Sequence, residues 1–441
     1  MTTDFAQATR RSSAYRFDAV TLLRGVGFIV AYLYFWISLD PFPDLSDPSV
    51  LQPAKSSGLA NQSVAAMLGG FSLLFVYGRN WRRLRPLFTP LFITVLLWCA
   101  LSVVTSPHSE VAARRYVLTL ITMTIAAVTL LLPRDERHFG ELIAITAGLF
   151  LGVCYAGVLL FPQLAVHQFS DLNEPQLAGA WRGVFTHKNG AGSAMVLMAF
   201  IGIYVARTRS LLVGSLITIA SIVFLLCTLS KTSLALLPVT LLATWALLST
   251  RSARARIITV VSGLLLFNVC TIGSAFYTPV HDVLERILFD PSFTNRDAVW
   301  RFAISQLVQR PLTGYGFQAF WRLEDVVYSG SAMETWTVQA SDGHNGYLDL
   351  AITLGIPGLI LLVLWLVVAP INDIRLSEKS GNDPALTGLF TQIWLFGIMH
   401  GCLETTFFIG GSPNWFMMSV AVFGLRLQGS SSLIAGASKR P

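Results

Sequence analysis

Leu211-Leu212-Val213-Gly214-Ser215-Leu216-Ile217-Thr218-Ile219-Ala220-Ser221-Ile222-Val223-Phe224-Leu225-Leu226-Cys227-Thr228-Leu229 runs without a charge; Ser230-Lys231-Thr232 follows, then a second apolar run to 248. A helix needs about 20 apolar residues to cross the hydrocarbon of a bilayer, and each run has about that length. Three polar residues between them leave room only for a sharp turn. The stretch therefore predicts a tight transmembrane hairpin.

Working outward, the same pattern recurs. Spans are predicted near 17–37, 59–77, 86–104, 116–132, 141–161 and 190–206, then 211–229, 232–248, 257–277, 346–369, 386–409 and 413–427. That makes about twelve helices. The chain of 441 residues is 54% hydrophobic and 12% charged, about half the charge of a soluble domain. The expected fold class is all-α: one polytopic membrane domain over 1–441, with a large polar loop at 278–345 and a disordered tail at 428–441.

Charge distribution sets the expected orientation. Arg79, Arg82, Arg83 and Arg85, then Arg134 and Arg137, Arg207 and Arg209, Arg251, Arg254 and Arg256, and Arg375 with Lys379 fall in alternate connections. The intervening short connections hold fewer cations, so the positive-inside rule puts both termini in the cytoplasm and the 278–345 loop outside. The net charge of +7 is thereby absorbed by topology, and no basic patch interleaved with aromatics suggests nucleic acid. The five cysteines lie in or beside apolar spans, with neither a CxxC pair nor metal spacing, which speaks against a disulfide framework.

The interval from Phe276 to Leu350 is the longest polar stretch between spans, and loops of this length in a compact fold usually carry function. Its junction with the next span reads Asp342-Gly343-His344-Asn345-Gly346. A histidine flanked by glycines can approach a substrate and act as a general base near neutral pH, or can simply cap a helix start. Arg296 and Arg301 sit on a predicted amphipathic helix, Asn295 to Gln309, with Val299, Phe302, Ile304, Leu307 and Val308 as its apolar side. Together with Arg310 they are either phosphate ligands or an ordinary solvated face. Lys231, at a hairpin tip among apolar residues, is a functional candidate or an interfacial anchor. Arg182, His187 and Lys188 cluster before the helix starting near 190, where the helix end itself attracts anions. Several cationic sites on one side of the membrane favour an anionic ligand. His400 and Glu404, four apart in the 386–409 span, would share a helix face as a buried hydrogen-bonded pair, and Glu404 could orient a substrate or His344. A third metal ligand is lacking from this pair, so no metal is expected. The sequence has no Walker loop, dinucleotide fingerprint or Gly-x-Ser-x-Gly, and no cofactor is expected.

Five stretches together resemble the O-antigen ligase and Wzy-type polysaccharide polymerase superfamily. They are Arg-Gly-Val-Phe-Thr-His-Lys-Asn (182–189), Ser-Lys-Thr (230–232), Asn-Arg-Asp-Ala-Val-Trp (295–300), Arg-Pro-Leu-Thr-Gly-Tyr-Gly (310–316) and His-Asn-Gly-Tyr-Leu-Asp-Leu…Leu-Gly-Ile-Pro-Gly (344–358). The Thr-His-Lys-Asn element is most similar to succinoglycan-type exopolysaccharide polymerases. The resemblance implies a bacterial inner-membrane enzyme whose active site faces the periplasm. Such enzymes transfer a glycan from undecaprenyl diphosphate to an acceptor hydroxyl, releasing the lipid diphosphate without metal or nucleotide. It also implies that His344 is the catalytic histidine, that Arg296 contacts diphosphate, and that Lys231 stands where many relatives carry arginine. Arg182, Lys188, Lys231 and Arg296 would neutralise the leaving group, and their charge would keep His344 neutral. Expected partners are the lipid-linked oligosaccharide, a growing glycan or lipid A core as acceptor, and a chain-length regulator. Polymerase and ligase differ only in acceptor. A transporter, the remote alternative, would show paired broken helices in corresponding halves, which the sequence lacks. A membrane scaffold would tolerate alanine at His344.

Overall fold

The computed structural model describes residues 19–47, 55–77, 81–172, 174–287, 296–321, 323, 340 and 342–430. The basic stretch 1–16, Asn295, Arg322 and the tail from 431 lie outside the described residues. The fold is an all-helical membrane bundle. Its principal helices are α1 (Ala19–Ile37), α2 (Lys55–Val76), α3 (Pro90–Val104), α4 (Ser109–Thr129), α5 (Glu136–Leu160), α6 (Lys188–Thr208) and α7 (Leu211–Thr228). They continue with α8 (Lys231–Ser249), α9 (Ala253–Thr271), α10 (Arg296–Gln309), α11 (Gly346–Ser380), α12 (Pro384–His400) and α13 (Pro413–Ser430). Among the described residues, 8 helices are long and apolar enough to cross a membrane, or 9 if Ala60–Val76 and Trp81–Leu87 form one bent span. The expected twelve is thus not reached, although a helix lies at each expected position. For two of the others the reason is length, since α3 has 15 residues and α12 has 17, short of the roughly 20 that hydrocarbon thickness demands; α13 has 18 but carries Asn414, Arg426 and Gln428 and is too polar.

The bundle turns apolar surface outward. Leu74, Leu97, Leu211, Leu242, Leu265 and Leu266 are each more than 60% exposed, a surface suited to lipid chains. Inside, α6, α12 and α13 form the centre, with Phe200, Trp394, Trp415 and Phe416 fully buried. The predicted hairpin forms: Leu229 adopts a left-handed conformation at the end of α7, and α8 starts at Lys231. Helices α6 and α7 also pack at backbone contact, because Gly202 and Gly214 face each other; a Cβ on Gly214 would lie 2.1 Å from the Ala206 nitrogen.

Two further expectations change. The 278–345 interval opens with a helix that was not expected, Thr278–Ile287, ahead of the expected α10, whose Val299, Trp300, Phe302 and Ala303 are buried while Val308, placed on its apolar side, is 73% exposed. Residues 428–430 are helical rather than disordered, held by an Asn382 Nδ2 bond to the Gln428 carbonyl at 2.6 Å and by Thr387 Oγ1 to Gln428 Oε1 at 3.3 Å.

The Arg310–Gly316 motif has a structural task. Helix α11 breaks at Gly355, whose φ of 71° frees carbonyls of the preceding turn. Tyr315 and Gly316 amides take those of Ile352 and Thr353 at 2.9 and 3.0 Å, Trp98 Nε1 takes that of Leu354 at 2.9 Å, and Ile356 donates to Pro311 at 2.8 Å. The motif therefore docks the polar segment onto a broken helix and satisfies backbone groups that hydrocarbon could not.

Candidate active site

The candidate site lies at the end of the bundle where α6, α8 and α11 begin and α12 ends. The chain leaving α12 turns through 401–412 and is stitched to the start of α11. Gly346 donates to the Gly401 carbonyl at 2.7 Å, Asn345 Nδ2 to the Cys402 carbonyl at 2.9 Å, and Thr405 Oγ1 bridges Asp342 at 2.9 Å and Asp349. Trp321 Nε1 and the Gly343 amide bind the other Asp349 oxygen at 2.7 and 3.1 Å. A Cβ on Gly343 would lie 2.4 Å from that oxygen, so the close approach requires glycine. His344 follows with φ 47°, a left-handed conformation that histidine adopts more readily than most residues, and its amide donates to Asp342 Oδ1 at 3.0 Å.

This frame brings four side chains to one point. Glu404 Oε2 lies 3.4 Å from His344 Nδ1. Its Oε1 accepts from Arg296 Nη2 at 3.0 Å and from Asn189 Nδ2 at 3.1 Å. Arg296 also donates to the Leu403 carbonyl. Asn189 Oδ1 accepts from Ser230 Oγ at 3.2 Å, tying the site to the hinge of the α7–α8 hairpin. His344, Arg296 and Glu404 are 22%, 15% and 14% exposed, screened from water but reachable.

The electrostatics follow from this geometry. Burial alone would lower the His344 pKa, but the Glu404 hydrogen bond and the Asp342 charge outweigh burial and Arg296, and raise it above its ordinary value. This corrects the expectation that nearby cations hold His344 neutral: Glu404 at 3.4 Å and Asp342 at 3.5 Å outweigh Arg296. Burial would likewise raise the Glu404 carboxyl, yet Arg296 and His344 hold it well below the usual carboxylate range. A carboxylate fixed as an anion against Nδ1 makes Nε2 the nitrogen that takes up a proton.

The other candidates stand apart from this point. Arg182 is fully buried, its guanidinium spent on the carbonyls of Pro43 at 2.7 Å and Phe185 at 2.9 Å. It holds two loops together rather than facing a ligand. Asn345 is equally buried and caps α11, accepting from the Tyr347 and Leu348 amides at 3.1 and 3.0 Å while Nδ2 reaches Asn268 Oδ1 at 3.0 Å. His187 caps α6 through the Asn189 amide at 3.1 Å and contacts Glu174 at 3.0 Å. Lys188 reaches the Leu229 carbonyl at 3.2 Å. Lys231 is exposed at the start of α8 on the same end as Lys188, an interfacial rather than buried cation. Arg301 bonds to the Ala275 carbonyl at 2.8 Å and to Asp297, and Arg310 lies exposed over the Tyr315 ring at 5.1 Å. His400 and Glu404 do not pair as expected. Helix α12 ends at His400, and His400 Nδ1 bonds to Thr406 Oγ1 at 2.9 Å.

Sequence reasoning missed Asn189 as a site residue, although it ends the Thr-His-Lys-Asn element. It also passed over Asp342, Thr405 and Asn268; the last was visible as a lone asparagine within an apolar span. Thr405 carried no signal, because its partners are distant in sequence.

Comparisons with known proteins find relatives in sequence. A family model described as O-antigen ligase matches residues 194–363. A 270-residue stretch covering 56% of the chain is 25% identical to "Exopolysaccharide production protein ExoQ" of Rhizobium meliloti, over 58% of that protein. A protein of Rickettsia felis named "Putative polysaccharide ligase" is 29% identical over 32% of this chain and 34% of its own length. One of Rickettsia prowazekii, "Putative polysaccharide ligase RP358", is 23% identical over 71% of this chain and 75% of its own. The matched stretches thus span between about a third and three quarters of these relatives' lengths. With the model match covering α7, α8, α9 and the His344 junction, the chain's similarity to the O-antigen ligase family is established.

Proposed function

We propose that this protein is a bacterial inner-membrane glycosyltransferase that passes a glycan from undecaprenyl diphosphate to an acceptor sugar hydroxyl, as an exopolysaccharide or O-antigen polymerase. The observation that carries the reading is the convergence of His344, Glu404, Arg296 and Asn189 from four separate segments on one partly screened point. Glu404 orients the imidazole through Nδ1 and stabilises the imidazolium. His344 Nε2 takes the proton of the acceptor hydroxyl as its oxygen attacks the anomeric carbon. The bond from that carbon to the diphosphate oxygen breaks, and undecaprenyl diphosphate departs with the electron pair. Charge developing on the diphosphate is met by Arg296, whose bonds to Leu403 and Glu404 use two of five donors, and by Lys188 and Lys231 at the same rim. Attack opposite the leaving group inverts the anomeric centre. Arg301 and Arg310 lie on the adjoining segment, where they would bind outlying parts of the glycan. The site faces the periplasm in this reading, with both termini cytoplasmic.

The deciding experiment gives purified protein undecaprenyl-diphosphate repeat unit as sole substrate, beside a His344→Ala control. A product ladder that disappears in the variant supports the polymerase. Transfer that begins only when lipid A core is added makes the protein a ligase, the alternative supported by the family model's description. A ladder unchanged in the variant removes His344 as the base. Movement of the lipid across the bilayer without release of undecaprenyl diphosphate would replace both with a transporter.

A further inference from the structure

Helices α8 and α9 begin and end beside the candidate site, so their connection, 250–252, lies at the opposite end of the bundle. There a pocket of about 640 Å³ is walled by Arg251, Arg254, Arg256, Arg375, Glu378 and Lys379. Five cations face one carboxylate. That carboxylate is already committed: Arg256, 2% exposed, holds Glu378 at 2.8 and 3.0 Å and the Thr250 carbonyl at 2.6 Å. Arg251, Arg254, Arg375 and Lys379 form no ion pair among the described residues, and Arg375 Nε is buried with no hydrogen-bond partner. A topogenic charge cluster needs no cavity and no buried orphan donor; this one has both.

The pocket also continues into the membrane. Arg256 closes the end of a second cavity of about 490 Å³ between α8, α9 and α12, lined by Val239, Ala246, Gly263, Leu266 and Leu395. A Cβ built on Gly263 meets nothing within 4 Å, so the groove is open at that level. Cations at the membrane surface above an apolar groove match a lipid with an anionic head. We propose that the Arg251–Arg254–Arg256–Arg375–Lys379 pocket binds the phosphate headgroup of an anionic membrane phospholipid whose acyl chains lie in the α8–α9–α12 groove. The lipid-linked donor of the proposed reaction presents its diphosphate at the other end of the bundle, so this site is separate from the catalytic one.

The test uses the full chain, purified and delipidated in detergent, titrated with dioleoylphosphatidylglycerol, dioleoylphosphatidylcholine or inorganic phosphate and read by native mass spectrometry and thermal melting. Phosphatidylglycerol should bind and raise the melting temperature while phosphatidylcholine does neither. Arg251→Gln/Arg254→Gln/Lys379→Gln should weaken phosphatidylglycerol binding by at least ten-fold, and Gly263→Phe, which fills the groove without changing charge, should do the same. Arg375→Gln, which leaves four cations in place, should weaken it several-fold and carries the charge arm if the triple variant does not accumulate. Equal binding of the two lipids, or undiminished binding in the charge variants, overturns the proposal in favour of a purely topogenic cluster. Phosphate that stabilises wild type and Gly263→Phe as well as the lipid does would make it a soluble-anion site and overturn the lipid.

Discussion

Glu404 is the residue on which the site turns, since it contacts His344, Arg296 and Asn189 at once. Replacing it with glutamine removes the charge that raises the His344 pKa but keeps the shape. We expect Glu404→Gln to shift the acid limb of the kcat–pH profile to lower pH, because His344 then loses its proton more readily. Maximal kcat should also fall, through lost orientation, by less than the roughly 10²–10⁴-fold expected for His344→Ala. An unchanged acid limb would show that the two side chains do not communicate. The same pairing makes stability depend on pH. The folded-state pKa of His344 is raised, so its contribution is complete below about 6.5 and is lost as pH rises through the folded value. The Glu404 pKa is depressed, so its contribution is present above about 4.3 and is lost as pH falls through the folded value. Unfolding by denaturant, followed from pH 5 to 9, should show wild type losing more stability than His344→Ala toward the alkaline side.

At the level of elements, the break in α11 explains why the Arg310–Gly316 motif accompanies Leu354-Gly355-Ile356-Pro357. Gly355 holds φ 71°, and a Cβ there would lie 2.1 Å from the Leu312 carbonyl oxygen. Gly355→Ala should therefore destabilise the fold by more than about 2 kcal/mol, combining left-handed strain with a backbone clash. The measurement is chemical denaturation in detergent, with activity per folded molecule as the companion readout. Because the motif positions α10 against α11, that specific activity should fall as well. Stability equal to wild type would mean that the break is imposed by Pro357 alone. The sequence placed the bounds of α10 within one residue and two of its buried residues, Val299 and Phe302, but put the exposed Val308 on the apolar side and weighed the 310–316 motif only through Arg310 and as part of a resemblance. Its amides instead complete the hydrogen bonding of a helix about forty residues away, which periodicity does not reveal.

For the molecule as a whole, arginine asymmetry predicts that the candidate site and the 250–252 connection face opposite sides of the membrane. Thr186 and Ser252 are both exposed, one on each side of that divide. A cysteine at Thr186 should react with a membrane-impermeant maleimide in intact cells from which the outer membrane has been removed. A cysteine at Ser252 should react only after the inner membrane is opened. Cys99, Cys154 and Cys402 are buried, which keeps their background low. The reverse pattern would invert the topology and move the proposed reaction to the cytoplasmic face.

The sequence by itself determined that this is an all-helical membrane protein, where its helices lie, and which histidine and arginine to watch. These are local properties: hydrocarbon thickness fixes span length, and backbone satisfaction in lipid fixes the helix. Tertiary structure decided which polar residues meet. Glu404 joins partners 60, 108 and 215 residues away, and its place in a turn beyond α12 rather than on a helix face makes all three contacts possible. Structure also sorted the cations, sealing Arg182 between loops and leaving Arg296 at the site, because only packing settles whether a guanidinium meets backbone carbonyls or a carboxylate. Nor could sequence foresee the direction in which the His344 pKa moves, which is the balance of burial, two carboxylates and one arginine.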